Sequence, residues 1–435
     1  MAVETEEGIP VGSLKICVIG GGSTYTPELV EGFIAAATGL PVTQLTLMDI
    51  DLRRLEIVGG LAARMIGAAD GSFELRLSTD RREALADADY VLTQIRVGGM
   101  AARIRDEQIP LKYGVVGQET TGPGGFAKAL RTIPVILDIV ADIQCVAPTA
   151  RLINFTNPSG IVTQAVLKYT DVEAIGLCNS PIGALRAVAE LLEVDPDRIR
   201  LDYVGLNHLS WIRGIEADGE ERIDEVIERA IAMGALPQFA PELLRALRML
   251  PNYYLNYYYN TDRVIREQLA AEKTRGEIVR EVEEGLLRLY QDPTLAAKPT
   301  ALEQRGGAHY STAAIALIRA LEADVGSVQI VNTRNLGVIP DLSDEAVVEV
   351  PCVVDAQGVR AIPTSPLPAS IRGLVQSVKA YEDLAVQAGA EGDEQTALLA
   401  LTAHPLVPSF DVAQHLWEDI REANTAALPQ SGSDD

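Results

Sequence analysis

The chain has 435 residues, 47% of them hydrophobic, which is enough for two domains or one large α/β unit with a sizeable core. Lysine and arginine number 37 against 61 acidic residues, and the formal net charge of −24 argues against binding to nucleic acid or to an anionic membrane surface. The four cysteines show no CxxC pair and no disulfide ladder. We therefore expect a cytoplasmic protein without a signal peptide or a transmembrane segment.

Strand and helix patterns alternate in the first part of the chain. Apolar runs predict strands at residues 14–19, 44–48, 73–77, 90–95 and 151–155. Helical periodicity lies between them, at residues 27–34, 55–65 and 127–143. This alternation predicts an α/β fold whose N-terminal domain, residues 12–170, is a Rossmann-type doubly wound parallel sheet.

The pattern changes after about residue 171. Short predicted strands at 201–204, 328–332 and 347–354 mix with helical stretches at 223–233, 277–290, 379–388 and 393–403. We expect a C-terminal α+β domain at 171–428 that carries the substrate and metal sites. Residues 1–11 and 429–435 are polar and are predicted to be loose tails.

A glycine turn follows the first predicted strand. Gly20, Gly21, Gly22 and Ser23 precede a helix, so backbone amides and the helix N-terminus can approach a pyrophosphate. Asp49 ends the second predicted strand, where a carboxylate accepts hydrogen bonds from ribose and favours NAD over NADP. A tight turn without a ligand is the alternative, and we prefer the nucleotide interpretation.

Cys178 and His208 each stand beside an asparagine. A thiolate and an imidazole can hold a divalent transition metal and leave positions open for substrate oxygens. A single cysteine is more often a small buried apolar side chain. Together with the glycine turn, the pair indicates redox chemistry at a hydroxylated carbon.

Three loops could line a site. Asn157 follows a predicted strand end, where ligands bind in such sheets, although an Asx-type turn explains it equally well. Glu119 lies in a glycine-dense loop before a helix and is a candidate charged partner of a catalytic group. His309 follows a glycine pair, and we favour a capping role for it.

Basic and aromatic clusters complete the candidates. Arginine clamps phosphate through bidentate bonds, and among the basic residues that follow the fourth strand we favour this function for Arg103 alone. Five of the thirteen tyrosines lie between residues 251 and 259. Such a stripe is usually core or interface, and a tyrosine base would need a metal or basic neighbour because its ordinary pKa is about 10.

These motifs together resemble glycoside hydrolase family 4, most closely its 6-phospho-β-glucosidases. The resemblance covers nearly the whole chain. The resemblance rests on the segments at residues 20–29 (GGGSTYTPEL), 117–122 (GQETTG), 154–160 (NFTNPSG), 176–179 (GLCN), 205–210 (GLNHLS) and 305–307 (RGG). The resemblance implies a fold similar to lactate and malate dehydrogenases, a resident NAD and a divalent metal, usually Mn²⁺.

The implied reaction is hydrolysis by oxidation, elimination and addition, and the family is an exception to two-carboxylate glycosidase chemistry. NAD takes a hydride from C3 of the sugar, a tyrosine removes the C2 proton, and the metal polarises the oxygens on C2 and C3. The aglycone then leaves from C1, water adds, and the hydride returns, so there is no net redox change.

Site residues are implied by matching positions. Cys178 and His208 match the metal ligands, Tyr254 matches the base, and Glu119 matches a residue that raises the basicity of that tyrosine. The substrate-contacting positions match Arg103, Asn157, Asn179 and Arg275, and Arg275 depends on a one-residue gap in the alignment. Asn179 after the cysteine is the β-type pattern, because an amide cannot act as a general acid.

Other hypotheses remain open from the sequence. A 2-hydroxyacid-type NAD-dependent dehydrogenase would share the fold, as would a family 4 glycosidase of other sugar specificity or a non-catalytic nucleotide sensor. The expected substrate is a phosphorylated disaccharide or aryl glucoside. We expect a homodimer or homotetramer from the resemblance.

Overall fold

The computed structural model describes residues 13–71, 73–305, 310–323 and 326–425, and the predicted tails at 1–11 and 429–435 lie outside them. The strands are β1 (Leu14–Ile19), β2 (Val42–Met48), β3 (Glu74–Ser78), β4 (Tyr90–Thr93), β5 (Arg151–Asn154), β6 (Ala174–Gly176), β7 (Ile199–Leu206), β8 (Leu209–Ala217), β9 (Glu220–Glu221), β10 (Leu250–Pro251), β11 (Ser327–Arg334), β12 (Val347–Asp355) and β13 (Gly358–Ala361).

The helices are α1 (Thr26–Ala36), α2 (Leu52–Ala68), α3 (Arg81–Leu85), α4 (Gly99–Leu111), α5 (Gly122–Val146), α6 (Ser159–Tyr169), α7 (Ser180–Leu192), α8 (Ile223–Met233), α9 (Pro241–Leu247), α10 (Asn256–Tyr259), α11 (Thr261–Ala270), α12 (Arg275–Tyr290), α13 (Tyr310–Glu322), α14 (Ala369–Glu391), α15 (Glu394–Ala403) and α16 (Phe410–Asn424). Short 3-10 turns cover Pro196–Arg198, Tyr253–Leu255 and Thr300–Arg305. No helix among the described residues combines the length and apolar character that crossing a membrane needs.

A nine-stranded sheet has the order β13-β12-β11-β6-β5-β4-β1-β2-β3. Its six strands from β3 to β6 are parallel and follow the 3-2-1-4-5-6 order of a doubly wound dinucleotide-binding sheet. β1 is buried at five of its six positions, as expected for a central strand covered on both faces. The predicted Rossmann-type sheet is confirmed.

The order of the strands reverses between β1 and β4, which creates a crevice at their carboxyl ends. Gln94, just after β4, closes the base of this crevice by donating from Nε2 to the carbonyl of Gly20 at 3.1 Å. Ligands bind at such a point in doubly wound sheets, because two neighbouring loops diverge there. The fold thus places the glycine turn where a dinucleotide is expected.

The sheet continues beyond the predicted domain boundary at 170/171. β6 pairs in parallel with β5, and β11, β12 and β13 extend the same sheet in antiparallel fashion. A smaller sheet of β7, β8, β9 and β10 lies outside it. The division into domains at 12–170 and 171–428 stays a prediction, and the main sheet includes strands from both sides of it.

A long hairpin carries one candidate ligand at its tip. β7 and β8 pair from Ile199↔Ala217 to Leu206↔Leu209, so the two residues between the strands are Asn207 and His208. Gly205 has φ +143°, and a Cβ there would lie 2.2 Å from the carbonyl oxygen of Leu209. The glycine before the tip is therefore required by the close approach of the two strands.

Two glycines of α14 provide a matched test of packing against the core. A Cβ at Gly389 would lie 3.0 Å from Cβ of Ile133 in α5, whereas nothing lies within 4 Å of a Cβ at Gly373. We expect Gly373→Ala to stabilise the protein by about 0.5–1 kcal/mol through helix propensity. Gly389→Ala is expected to be net destabilising, because overpacking costs about 1–3 kcal/mol. Urea unfolding of both variants checks this, and a stabilised Gly389→Ala protein would contradict the α5–α14 packing.

Candidate active site

The glycine turn packs directly against β2. The amides of Gly20 and Gly21 donate to the carbonyl of Met48 at 2.9 and 2.8 Å, and Gly20 has φ +91°. A Cβ on Gly21 would lie 2.7 Å from the Cβ of Leu47. Side chains are therefore excluded from this turn, and its backbone reaches the mouth of the crevice.

Asp49 lies against the same turn. Its Oδ2 accepts the amide of Gly22 at 2.8 Å, and its Oδ1 accepts the amide of Asp51 at 3.0 Å. A Cβ on Gly22 would meet that carboxylate at 2.8 Å. A turn without side chains, a helix N-terminus at α1 and an acid at the end of β2 fit the pyrophosphate and ribose of NAD.

Glu119 is surrounded by three cations. Its carboxylate pairs with Arg96, with Nη1 of Arg103 at 2.9 Å, and with Nζ of Lys128 at 3.0 Å. Burial alone would raise the pKa of Glu119, but the charges of Arg96, Lys128 and Arg103 hold the pKa well below its usual range. Glu119 is therefore a permanent anion that joins β4, α4 and α5.

Lys128 is buried in α5 beside this anion. Burial, together with the charges of Arg96 and Arg103, lowers its pKa to about 7, and Glu119 opposes the shift. The amine therefore changes its charge close to neutral pH. No sequence pattern indicated Lys128, because a lysine in a helix is usually solvent-exposed.

His208 is buried at the tip of the β7–β8 hairpin and has φ +64°. Its ring stacks on Tyr254 with centroids 3.8 Å apart and planes 3° from parallel, and its Nδ1 lies 3.3 Å from Oγ1 of Thr120. Burial, followed by the charge of Lys128, lowers the pKa of His208 to about 3. The imidazole is thus neutral, which is the form that binds a metal.

Cys178 lies just beyond β6 at the carboxyl edge of the main sheet. The amide and the hydroxyl of Ser180 both lie 3.4 Å from its Sγ. Burial and then the charge of Glu349 raise the pKa of the thiol to about 12. Metal binding at this sulfur must therefore release a proton.

Cys178 and His208 supply one soft sulfur and one imidazole nitrogen. Among residues 13–71, 73–305, 310–323 and 326–425, no group of three or more His, Cys, Asp or Glu side chains could hold a metal. Two protein ligands leave several coordination positions for substrate oxygens and water. This donor set fits a substrate-coordinating transition metal and does not fit a closed structural site.

Tyr254 lies in the 3-10 turn Tyr253–Leu255, where Oδ1 of Asn252 accepts its amide at 3.1 Å. Burial raises the pKa of its phenol well above the ordinary value, and the thiolate form of Cys178 is the next cause. The phenol is therefore close to both candidate metal ligands. A nearby cation would be needed to convert it into a base at neutral pH.

The four predicted substrate residues have different surroundings. Arg103 is buried and donates from Nε to Glu107 at 2.9 Å in addition to its bond to Glu119. Asn157 precedes a cis proline and lies beside the phenol of Tyr310.

Asn179 is the N-cap residue of α7. Arg275 is exposed at the start of α12, where it donates to the carbonyl of Gln304 at 3.2 Å.

The structure adds site residues that the sequence did not single out. We expected only Arg103 to be functional among its basic neighbours, yet Arg96 also binds the Glu119 carboxylate. Thr120 contacts the predicted metal ligand His208, and the phenol of Tyr310 lies close enough for the charges of Cys178 and Glu119 to act on it.

His309 lies outside the described residues. His404 is buried and accepts the amide of Leu406 at Nδ1, which is a structural role.

Comparison with known proteins decides the family. The model described as family 4 glycosyl hydrolase matches residues 15–194, and that of the family's C-terminal domain matches residues 203–407. The chain belongs to glycosyl hydrolase family 4. It is 48% identical over 431 residues to the probable 6-phospho-beta-glucosidase of Bacillus subtilis, covering 96% of this chain and 98% of that protein. The predicted family and glycosidase class are confirmed.

Solved structures show the same relationship. The 6-phospho-beta glucosidase of Thermotoga maritima, solved with manganese, NAD⁺ and glucose-6-phosphate, superposes with a TM-score of 0.90 at 37% identity, covering 96% of this chain and 100% of that one. Lactate dehydrogenase from Eimeria maxima, at 18% identity and a TM-score of 0.53, covers 89% of this chain and 96% of its own and shows the fold alone. The predicted dehydrogenase-like fold is confirmed.

The shifted pKa of Lys128 predicts a pH dependence of stability. Between about pH 7 and the ordinary lysine value of 10.5, the unfolded chain binds a proton that the folded protein lacks. Stability from this group therefore rises with pH in that window, by at most about 1.4 kcal/mol per pH unit. We expect the unfolding free energy of wild type minus that of Lys128→Met to increase from pH 7 to 9.

Urea unfolding at pH 7, 8 and 9 measures this difference. Lys273→Met, which removes an exposed lysine paired with Glu281, controls for the loss of any lysine. A constant difference between wild type and Lys128→Met over these pH values would show that Lys128 keeps its proton throughout.

Proposed function

We propose that this protein hydrolyses 6-phospho-β-glucosides with a resident NAD and a divalent metal, Mn²⁺ in the first instance. The observation that carries the proposal is the stacking of His208 on Tyr254, with Cys178 and Glu119 near enough for their charges to act on the same phenol. Neither a plain dehydrogenase nor a nucleotide sensor needs an imidazole stacked on a phenol with a thiol close to the same phenol. The proposal also takes support from the relatives, whose names specify 6-phospho-beta-glucosidase in Bacillus subtilis and Escherichia coli.

Each group has a proposed task. Gly20, Gly21, Gly22 and Ser23 receive the pyrophosphate of NAD, and Asp49 receives its ribose. Cys178 and His208 hold the metal. NAD supplies reversible hydride acceptance at C3 of the sugar, and the metal supplies polarisation of the sugar oxygens.

Tyr254 is the proposed base that removes the C2 proton, because its phenol lies against the metal ligand His208. The anion Glu119 is among the causes that act on the Tyr254 pKa, and its charge raises that pKa. A raised pKa is the direction that a stronger base requires. Glu119 would therefore strengthen the phenolate as a proton acceptor once a metal has offset the cost of charging it.

The β-anomer is the proposed specificity. Identity to 6-phospho-beta-glucosidases is 48% and 40%, against 31% for the phospho-alpha-glucosidase of Clostridium acetobutylicum. Asn179 provides an amide next to Cys178, and an amide cannot protonate a leaving group. Arg103, Asn157, Asn179 and Arg275 are the proposed substrate contacts, and the homodimer or homotetramer stays a prediction from the family.

The test is an activity panel on the purified protein. Chromogenic 6-phospho-β-glucoside, its α-anomer and the unphosphorylated β-glucoside are each offered with and without NAD and Mn²⁺. We expect release of the aglycone from the phosphorylated β-anomer only, with both additions required. Net accumulation of NADH would instead favour the dehydrogenase hypothesis, and preference for the α-anomer would contradict the proposed specificity.

Tyr254→Phe tests the base. Loss of a positioned base costs about 10²–10⁴-fold, and we expect kcat to fall within that range. Tyr253→Phe is the matched control, because Tyr253 is in the same 3-10 turn but is 57% exposed. Equal activity of the two variants would remove Tyr254 from the proposed mechanism.

A further inference from the structure

The side chain of Gln118 folds back onto its own loop. Its Oε1 lies 2.5 Å from the amide of Thr120 and 2.7 Å from the amide of Thr121. Backbone amides only donate, so the atom that faces them is the oxygen of the Gln118 amide, and its orientation is settled by its partners. The atom that Gln118 turns toward the loop is therefore its carbonyl oxygen, which accepts hydrogen bonds and has no hydrogen to donate.

The hydroxyl of Thr120 lies between that acceptor and His208. Its Oγ1 is 2.9 Å from Oε1 of Gln118 and 3.3 Å from Nδ1 of His208. A hydroxyl has a single hydrogen, and the Gln118 oxygen has none to give. The hydroxyl consequently donates to Gln118, and its lone pair faces Nδ1, where a ring N–H can donate to it.

A neutral imidazole carries one N–H, so a proton on Nδ1 leaves the lone pair on Nε2. We propose that Thr120 and Gln118 are positioning residues that hold His208 as its Nδ1–H tautomer and thereby present Nε2 to a divalent metal. This inference rests on the metal site of the proposed function. Stacking on Tyr254 fixes the plane of the same ring.

The loop that carries these residues is itself anchored. Gln268 in α11 clamps Gly117 on both sides, accepting its amide at 3.0 Å and donating to its carbonyl at 2.8 Å. Glu119, between Gln118 and Thr120, is fixed by its three cations. Thr120 therefore approaches His208 from a loop that is anchored at two positions just before it.

Metal affinity is the first readout. Free Mn²⁺ is measured by electron paramagnetic resonance during titration of metal-free full-length protein, without NAD or sugar. Loss of a hydrogen bond to a metal-binding histidine typically costs about 10–100-fold in affinity, and we expect a loss of that size for Thr120→Val. Thr120→Ser keeps the hydroxyl and is expected to bind like wild type. Thr402→Val, on α15 where the hydroxyl donates to the carbonyl of Leu398 in the same helix, controls for the exchange of threonine for valine.

His208→Ala separates the inference from the function on which it rests. If His208→Ala binds Mn²⁺ as tightly as wild type, the proposed metal site is wrong. If His208→Ala loses affinity while Thr120→Val keeps it, the metal site stands and the positioning role of Thr120 is overturned.

The second readout needs no metal. The chain contains 4 histidines, so ¹⁵N spectra of histidine-labelled protein can be assigned by comparison with His208→Ala. We expect the His208 signals of wild type to show a protonated Nδ1 and an unprotonated Nε2, and this population to decrease in Thr120→Val. A protonated Nε2 in wild type would contradict the inference.

Discussion

The Glu119 carboxylate and its three cations are the interaction on which the site depends. The cations come from separate segments: Arg96 follows β4, Arg103 lies in α4 and Lys128 in α5. Removing one partner of a buried ion pair leaves uncompensated charge and costs about 3–5 kcal/mol. Here a single carboxylate holds three cations, so these segments are fixed relative to the sheet edge through Glu119.

The same network connects the nucleotide-binding sheet to α12. Arg103 also donates to Glu107, whose other oxygen accepts the amide of Gly276 at the start of α12 at 2.6 Å. Farther along that helix, Glu283 pairs with Arg54 at 3.4 Å and with Arg305 at 2.9 Å.

Arg54 in turn donates to the carbonyl of Gly22 at 3.2 Å. Two chains of ion pairs therefore run from the dinucleotide turn and the Glu119 loop to the helix that carries Arg275.

The central strand β1 could be predicted from the sequence because it is an apolar run interrupted only by Lys15. The segment 14–19 was predicted to the residue, and the candidate ligands Cys178 and His208 were found from their motifs. By contrast, α4 was not predicted, since it begins at Gly98–Gly99 and contains Pro110, which are residues that normally interrupt helices. β6 has three residues, which is too short for a periodic signal.

Charge clusters were the least predictable part. Lys128 and Arg96 become site residues only because α5 and the end of β4 meet at Glu119, and no local pattern contains that information. Thr120 likewise acquires its contact from a hairpin tip that lies 88 residues later in the chain. Long-range contacts of this kind follow from the assembled fold, while ligand-type residues are visible in their own motifs.

The most direct measurement of the central claim is hydrogen exchange at C2 of the sugar during turnover in D₂O. A phosphorylated β-glucoside is hydrolysed by the NAD- and Mn²⁺-supplied protein, and the glucose 6-phosphate formed is analysed by mass spectrometry and NMR. Removal of the C2 proton by Tyr254 predicts deuterium at C2 of the product. Full turnover with hydrogen retained at C2 would show that the glycosidic bond breaks by another route and would contradict the account.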